Sequence, residues 1–219
     1  MIKAQLELLR AEIPQNVTLI AVSKTKPLID IQAAYAAGQR HFGENKVQEM
    51  VEKAAQLPPD IHWHLIGHLQ TNKVKYMAGF VHLIHGVDSL KLLQEINKQA
   101  QKVGRVQDVL LQFYIAQEET KFGLEYPEAQ EILESNAFKD LQNIRICGVM
   151  GMASFTLDTL QIAAEFQQLK SVFEKLKTSY FQQASSFKEI SMGMSGDYPI
   201  AIENGSTMVR VGSKIFGGR

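Results

Sequence analysis

The sequence predicts an α/β fold, a single (β/α)8 TIM barrel over residues 1–219 with one extra helix at its N-terminus, and three observations carry that prediction. Strand-length apolar runs alternate with stretches of helical periodicity, which is the pattern of a parallel sheet joined by helical crossovers. The alternation supplies eight strands, a number that favours closure into a barrel over an open doubly wound sheet. The chain has the length of one ordinary domain, is 45% hydrophobic, and contains no Pro/Gly/Ser-rich linker or shift in composition that would divide it.

Taken in order, residues 1–14 mix Lys3, Glu7, Arg10 and Glu12 with leucines in an amphipathic pattern, a helix rather than the charged head and long apolar core of a signal peptide. Residues 17–22 are apolar and rich in β-branched side chains, then give way to Ser23-Lys24-Thr25-Lys26-Pro27, as a strand does on leaving a core. Residues 28–38 place Ile31, Ala34, Tyr35 and Ala37 at helical spacing, with Gly38 as the stop. A short strand over 39–43 ends in Glu44-Asn45, and the helix over 46–57 is striped by Val47, Met50, Val51 and Ala54 and closed by Pro58-Pro59. Strands follow at 61–67, 81–87, 106–115, 144–150, 188–192 and 207–211. Between them lie helices at 71–78, 90–103, 126–135, 157–180 and 198–204, with Gly104 and Gly205 as further stops.

Composition narrows the function. Lys plus Arg and Asp plus Glu both total 23, so the net charge of zero points to neither a nucleic acid nor an anionic membrane as partner. No apolar run approaches the roughly 20 residues that span a bilayer. Cys147 stands alone, which rules out an intrachain disulfide and leads to the expectation of a cytoplasmic protein with this thiol as a small core residue.

In a parallel barrel the chemistry sits where strands end. The residues there are Ser23-Lys24, Glu44-Asn45, His68-Leu69-Gln70, Asp88-Ser89, Met150-Gly151-Met152, Ser191 with Ser195, and Arg210 through Ser213, a set suited to a phosphorylated, carbonyl-bearing ligand. Burial at the strand exit and the neighbouring charge of Lys26 both push the Lys24 ammonium toward a nucleophilic amine, though spacing does not decide between the two lysines. Ser191-Met192-Gly193-Met194-Ser195-Gly196-Asp197 after the seventh strand and Gly212-Ser213 after the eighth stand where barrels bind phosphate with backbone N–H groups and hydroxyls. Arg210, if turned into the mouth, suits an acceptor such as an unprotonated ring nitrogen, and otherwise a salt bridge. Asn45 either lines the pocket or caps the helix that follows. His62 and His64 share a strand face and His68 follows, yet with no cysteine nearby the expectation is local hydrogen bonding and no metal. Met150, Met152, Met192 and Met194 are expected to pack the barrel mouth.

Several stretches, in order, resemble one family. They are Ala21-Val22-Ser23-Lys24-Thr25-Lys26-Pro27, Phe42-Gly43-Glu44-Asn45, the run from Trp63 to Lys73, Ser191-Met192-Gly193-Met194-Ser195, and the run from Ser206 to Gly217. In these the chain is similar to the pyridoxal phosphate homeostasis proteins, whose barrel is of the kind found in the N-terminal domain of alanine racemases. The resemblance implies pyridoxal 5'-phosphate as cofactor, Lys24 as the Schiff-base lysine, Arg210 facing the pyridine nitrogen, and Ser191, Ser195, Gly212 and Ser213 around the phosphate. Asn45 is implied as a nearby wall residue.

The resemblance further implies a cofactor-binding regulatory protein rather than an enzyme, with no catalytic residue. An arginine at the ring nitrogen weakens the electron sink that pyridoxal phosphate chemistry draws on. The second domain that racemases use to supply an acid/base tyrosine is expected to be absent, since the sequence stops just after the eighth strand, and a monomer is the expectation. The partners implied are the cofactor, free amino acids and pyridoxal-phosphate-dependent apoenzymes. The alternatives are a pyridoxal-phosphate-dependent amino-acid racemase and a Schiff-base aldolase using Lys24 without the cofactor.

Overall fold

The computed structural model describes residues 1–117 and 122–218, so that Arg219 lies outside the described residues. Helix α1 (Ile2–Glu12) leads into β1 (Thr18–Val22), α2 (Leu28–Ala36), β2 (His41–Glu44), α3 (Val47–Ala54) and β3 (His62–Leu65). A 3-10 turn (Thr71–Lys73) runs into α4 (Val74–Met77), followed by β4 (Leu83–Val87), α5 (Leu90–Lys102) and β5 (Gln107–Gln112). The second half adds α6 (Tyr126–Glu134), α7 (Asn136–Lys139), β6 (Ile144–Met150), α8 (Thr159–Ser179), β7 (Glu189–Met194), α9 (Tyr198–Glu203), β8 (Met208–Val211) and α10 (Ser213–Phe216).

All eight strands are parallel and pair in sequence order into a closed barrel, with β8 returning to β1 through Thr18↔Met208 and Ile20↔Arg210. Closure makes two cores of opposite strand faces. Ile20, Leu83, Leu110, Cys147, Met150 and Met208 fill the barrel interior. Ala21, Phe42, Trp63, Leu65, Val109, Leu111 and Val149 instead face the helices, in the one outer core that also holds Phe166 and Leu169 of α8. Cys147 is thus a core residue, 6% exposed. The four methionines separate: Met150 and Met152 belong to the interior, Met192 packs outward against the helices, and Met194 is exposed. Alternation explains Met192, because Ser191 takes the inward position beside it.

Local signals fix the helix ends. Ser89 accepts from Leu92 N at the start of α5, Asp158 accepts from Leu160 N and Gln161 N at the start of α8, and Glu125 with Glu128 forms a capping box at α6. Helices α7 and α10, four residues each, were outside the sequence expectation. Pieces this short have no apolar period of their own and exist through the contacts that hold them.

Candidate functional site

The strand exits gather at one end of the barrel. Beyond β1, Lys24 is half-buried, and among the described residues its ammonium makes no hydrogen bond or ion pair. Lys26 is committed elsewhere: its Nζ donates to the carbonyls of Phe216, Gly217 and Gly218 at 3.1–3.2 Å, collecting the end of α10.

Between the two lysines, Thr25 has φ of 63°, an uncommon conformation for a β-branched residue. It is held by its amide, which donates to Glu49 Oε1 at 2.6 Å. Lys53 Nζ donates to Glu49, to Glu44 and to the Ser23 carbonyl, each at 2.7 Å, and Ser23 Oγ donates to Glu44 Oε1 at 2.6 Å. The loop bearing Lys24 is therefore bolted to α3 by a largely buried ion network. Burial pushes the Glu44 carboxyl up against the pull of Lys53 and Ser23. Burial acts in the same sense on Glu49, but the bonds from Lys53 and Thr25 outweigh it and hold that carboxyl below its ordinary value. The sequence reading placed Glu44 at the mouth and missed Lys53; the i,i+4 spacing of Glu49 and Lys53 was the available signal.

Arg210 enters from β8 and is 4% exposed. Its Nη1 donates to Ser191 Oγ at 2.6 Å and its Nη2 to the Gly151 carbonyl at 3.0 Å. No carboxylate among the described residues lies within ion-pair distance of it; the Asp197 charge favours the cation from farther off, but burial outweighs it and draws the pKa down to about 10. A guanidinium carries five N–H donors, so a buried cation with two neutral acceptors retains capacity for a further acceptor.

Ser191 is fully buried, unlike Ser195 and Ser213. Its Oγ also meets His85 Nδ1 at 2.9 Å; His85 Nε2 meets His64 Nδ1 at 2.9 Å, and His64 Nε2 meets His41 Nδ1 at 2.9 Å. A single file of hydrogen bonds thus runs from Arg210 down through the barrel. Burial holds His64 and His85 well below the usual imidazole range, so both rings are neutral. The sequence reading did not anticipate this file.

The loops after β7 and β8 are joined by Gly212 N donating to Ser195 Oγ at 3.1 Å. The backbone N–H groups of Ser195, Gly196 and Ser213 donate to no described residue, which leaves an open set of donors beside the two hydroxyls. Gly193, with φ of 94°, lets this loop lie on α9, since a Cβ there would sit 2.6 Å from that of Ala201. Asn45 does not cap: Lys46 is the N-cap of α3 and no side chain bonds the helix start. It stays half-buried, in close backbone contact with Gly67. His68 lies apart from His62 and His64, 3.8 Å from Asp88 and stacked on Phe122.

The family described as the N-terminal domain of alanine racemase matches residues 1–219. A pyridoxal phosphate homeostasis protein of Synechocystis is 39% identical over 212 residues, 95% of this chain and 94% of the relative. The structure of PipY from Synechococcus elongatus with pyridoxal phosphate bound is 38% identical, covers 99% of this chain and 100% of its own, and superposes with a TM-score of 0.88. An alanine racemase from Clostridium difficile shares the fold, at 14% identity and a TM-score of 0.78, with this chain covering 56% of it.

Proposed function

The chain belongs to the pyridoxal phosphate homeostasis protein family, and from that premise we propose that it holds pyridoxal 5'-phosphate at the open end of its single barrel domain and yields it without catalytic turnover. The observation that carries this reading is Arg210, a buried guanidinium held by Ser191 and the Gly151 carbonyl, with no carboxylate within ion-pair distance among the described residues.

The residues present fit such a group. When bound, it supplies an aldehyde carbon open to an amine and a pyridine ring able to draw in electrons. Lys24, free of other partners among the described residues, is the amine that would hold the aldehyde. Arg210 only donates, so at the ring nitrogen it would keep that atom unprotonated and weaken the ring's pull on electrons. Ser195, Gly212 and Ser213 are the phosphate side of the site: the hydroxyls of Ser195 and Ser213 and the free N–H groups of Ser195, Gly196 and Ser213 would hold the anion, and Gly212 N–H positions Ser195 Oγ. Ser191, whose Oγ is already engaged by Arg210 and His85, serves to position Arg210 rather than to contact the phosphate. Asn45 is a wall residue.

This division of labour suits keeping a reactive cofactor in reserve better than proton transfer at a substrate carbon. Free amino acids and pyridoxal-phosphate-dependent apoenzymes are the recipients, in the cytoplasm, with the protein acting as a monomer. The test is an absorbance spectrum of the protein and of Lys24→Ala, each with added pyridoxal phosphate, followed by titration with free amino acids. A near-visible band is expected in the parent and its loss in the variant, with amino acids shifting the band and no product accumulating. Sustained racemisation of a free amino acid would replace this reading with the racemase; no band in the parent would remove Lys24 from the site.

A further inference from the structure

The opposite end of the barrel carries a second concentration of chemistry. Of the six histidines in the chain, five lie in one group inside and beneath the barrel. His41 opens β2, His62 and His64 stand in β3, and His82 immediately precedes β4. Register brings them together, since His41 pairs with His62 and Gly43 with His64 across β2 and β3, and His64 with Leu83 across β3 and β4.

From this arrangement we infer a binding site for one divalent first-row cation of zinc's class, with His41, His64 and His82 as ligands. One ring nitrogen from each of the three lies within 4.8 Å of the others. Ring centroids are 5.2 Å apart for His41 and His64, 5.2 Å for His64 and His82, and 5.9 Å for His41 and His82. Tetrahedral zinc with bonds near 2.0–2.1 Å separates its ligand nitrogens by about 3.3 Å. The His41 Nδ1 to His64 Nε2 distance of 2.9 Å has to open by a few tenths of an ångström, and His82 has to turn inward.

Three further features favour a ligand set over a stack of packed rings. An all-imidazole set suits zinc, nickel or copper. The inner ligand is already oriented from behind, because His64 Nδ1 is hydrogen-bonded to His85 and His85 to Ser191, the outer-shell support that ligating histidines require. The outer ligand is also reachable: a cavity of about 380 Å³ at this end is lined by His82 together with Asp108, Arg145, Cys147 and Glu189. Asp108 is held by Arg145 at 2.6 and 2.9 Å, which leaves the imidazoles as the donors. A cation on His64 Nε2 would require Nδ1–H to donate to His85 Nε2 and His85 Nδ1–H to donate to Ser191 Oγ. The file of hydrogen bonds would then run in one direction, from the cation toward Arg210's partner.

The experiment is calorimetric titration of untagged, chelator-treated protein with Zn2+, with Co2+ absorption as a second readout. Expected are one equivalent of Zn2+ bound and ligand-field bands from Co2+. His41→Ala and His82→Ala should each weaken Zn2+ binding by at least about ten-fold, and His68→Ala should leave it unchanged. Melting curves of the metal-free variants report whether each still folds; should His41→Ala not fold, His82→Ala, at the solvent-facing edge of the group, decides alone. Absence of one-to-one binding, binding that survives His82→Ala, or loss of binding in His68→Ala would each overturn the site.

Discussion

Arg210 Nη1 donates to Ser191 Oγ at 2.6 Å, a contact between two neighbouring strands, and no carboxylate among the described residues lies within ion-pair distance of the buried arginine. The serine's own place is fixed from the far side by His85 at 2.9 Å. Ser191→Ala strips a partner from both groups, and an unpaired buried donor costs about 1–3 kcal/mol. The expected outcome is a stability loss of that size by equilibrium unfolding. Affinity for pyridoxal phosphate should fall about ten-fold, since about 1.4 kcal/mol of lost positioning is a factor of ten, while the near-visible band still forms at saturation because Lys24 is untouched.

Lys26 and Lys24 separate by their partners. Lys26→Met removes three donations to the carbonyls of residues 216–218. These are partly exposed bonds, so a loss of about 1 kcal/mol is expected. The near-visible band should persist with full amplitude; its disappearance would transfer the Schiff-base role from Lys24 to Lys26.

Glu49 gives a pH dependence with a definite sign. Its carboxyl is lowered in the folded protein, so its contribution is fully present above the unfolded carboxylate pKa and is lost as the pH falls through the folded value. Glu49→Gln should therefore cost about 1–3 kcal/mol at neutral pH, with the gap to the parent closing below about pH 4, near the ordinary carboxylate range. Denaturant unfolding of the pair from pH 7 to 3 measures this; a constant gap would mean that the Thr25 amide and Lys53 do not favour the charged form.

Burial pushes the Cys147 thiol up to about 12. With an ordinary thiol near 8.5, thiolate content at neutral pH falls by about 1,000-fold or more. Iodoacetamide should label the native protein slower by at least that factor than the unfolded chain, read by mass spectrometry over time. Labelling at the unfolded rate would place the thiol outside the barrel interior.

What the sequence determined was the order of elements and the end of the molecule at which to look. A strand declares itself through residues two apart and a helix through residues three or four apart, so the eight strands and the main helices between them fell close to where the local pattern put them. Lys24, Arg210 and the glycine-serine loops stood out as candidates for the same reason, since each lies at or just beyond the end of an apolar run, but the choice of Lys24 over Lys26 rested on the family resemblance and not on spacing.

Tertiary structure decided which of those groups meet. Ser191 read as a phosphate residue by its position after a strand, but barrel closure turns it inward to Arg210 and to His85, which is 106 residues away in sequence. Nothing local specifies that contact. The buried tie from Lys53 to Ser23 and Glu44, the release of Asn45 from capping, and the gathering of His41, His64 and His82 depend likewise on the register between strands. Register is set by closing all eight strands at once, and a one-residue slip would send the strand side chains among these, such as Glu44, His64 and Ser191, to the opposite face.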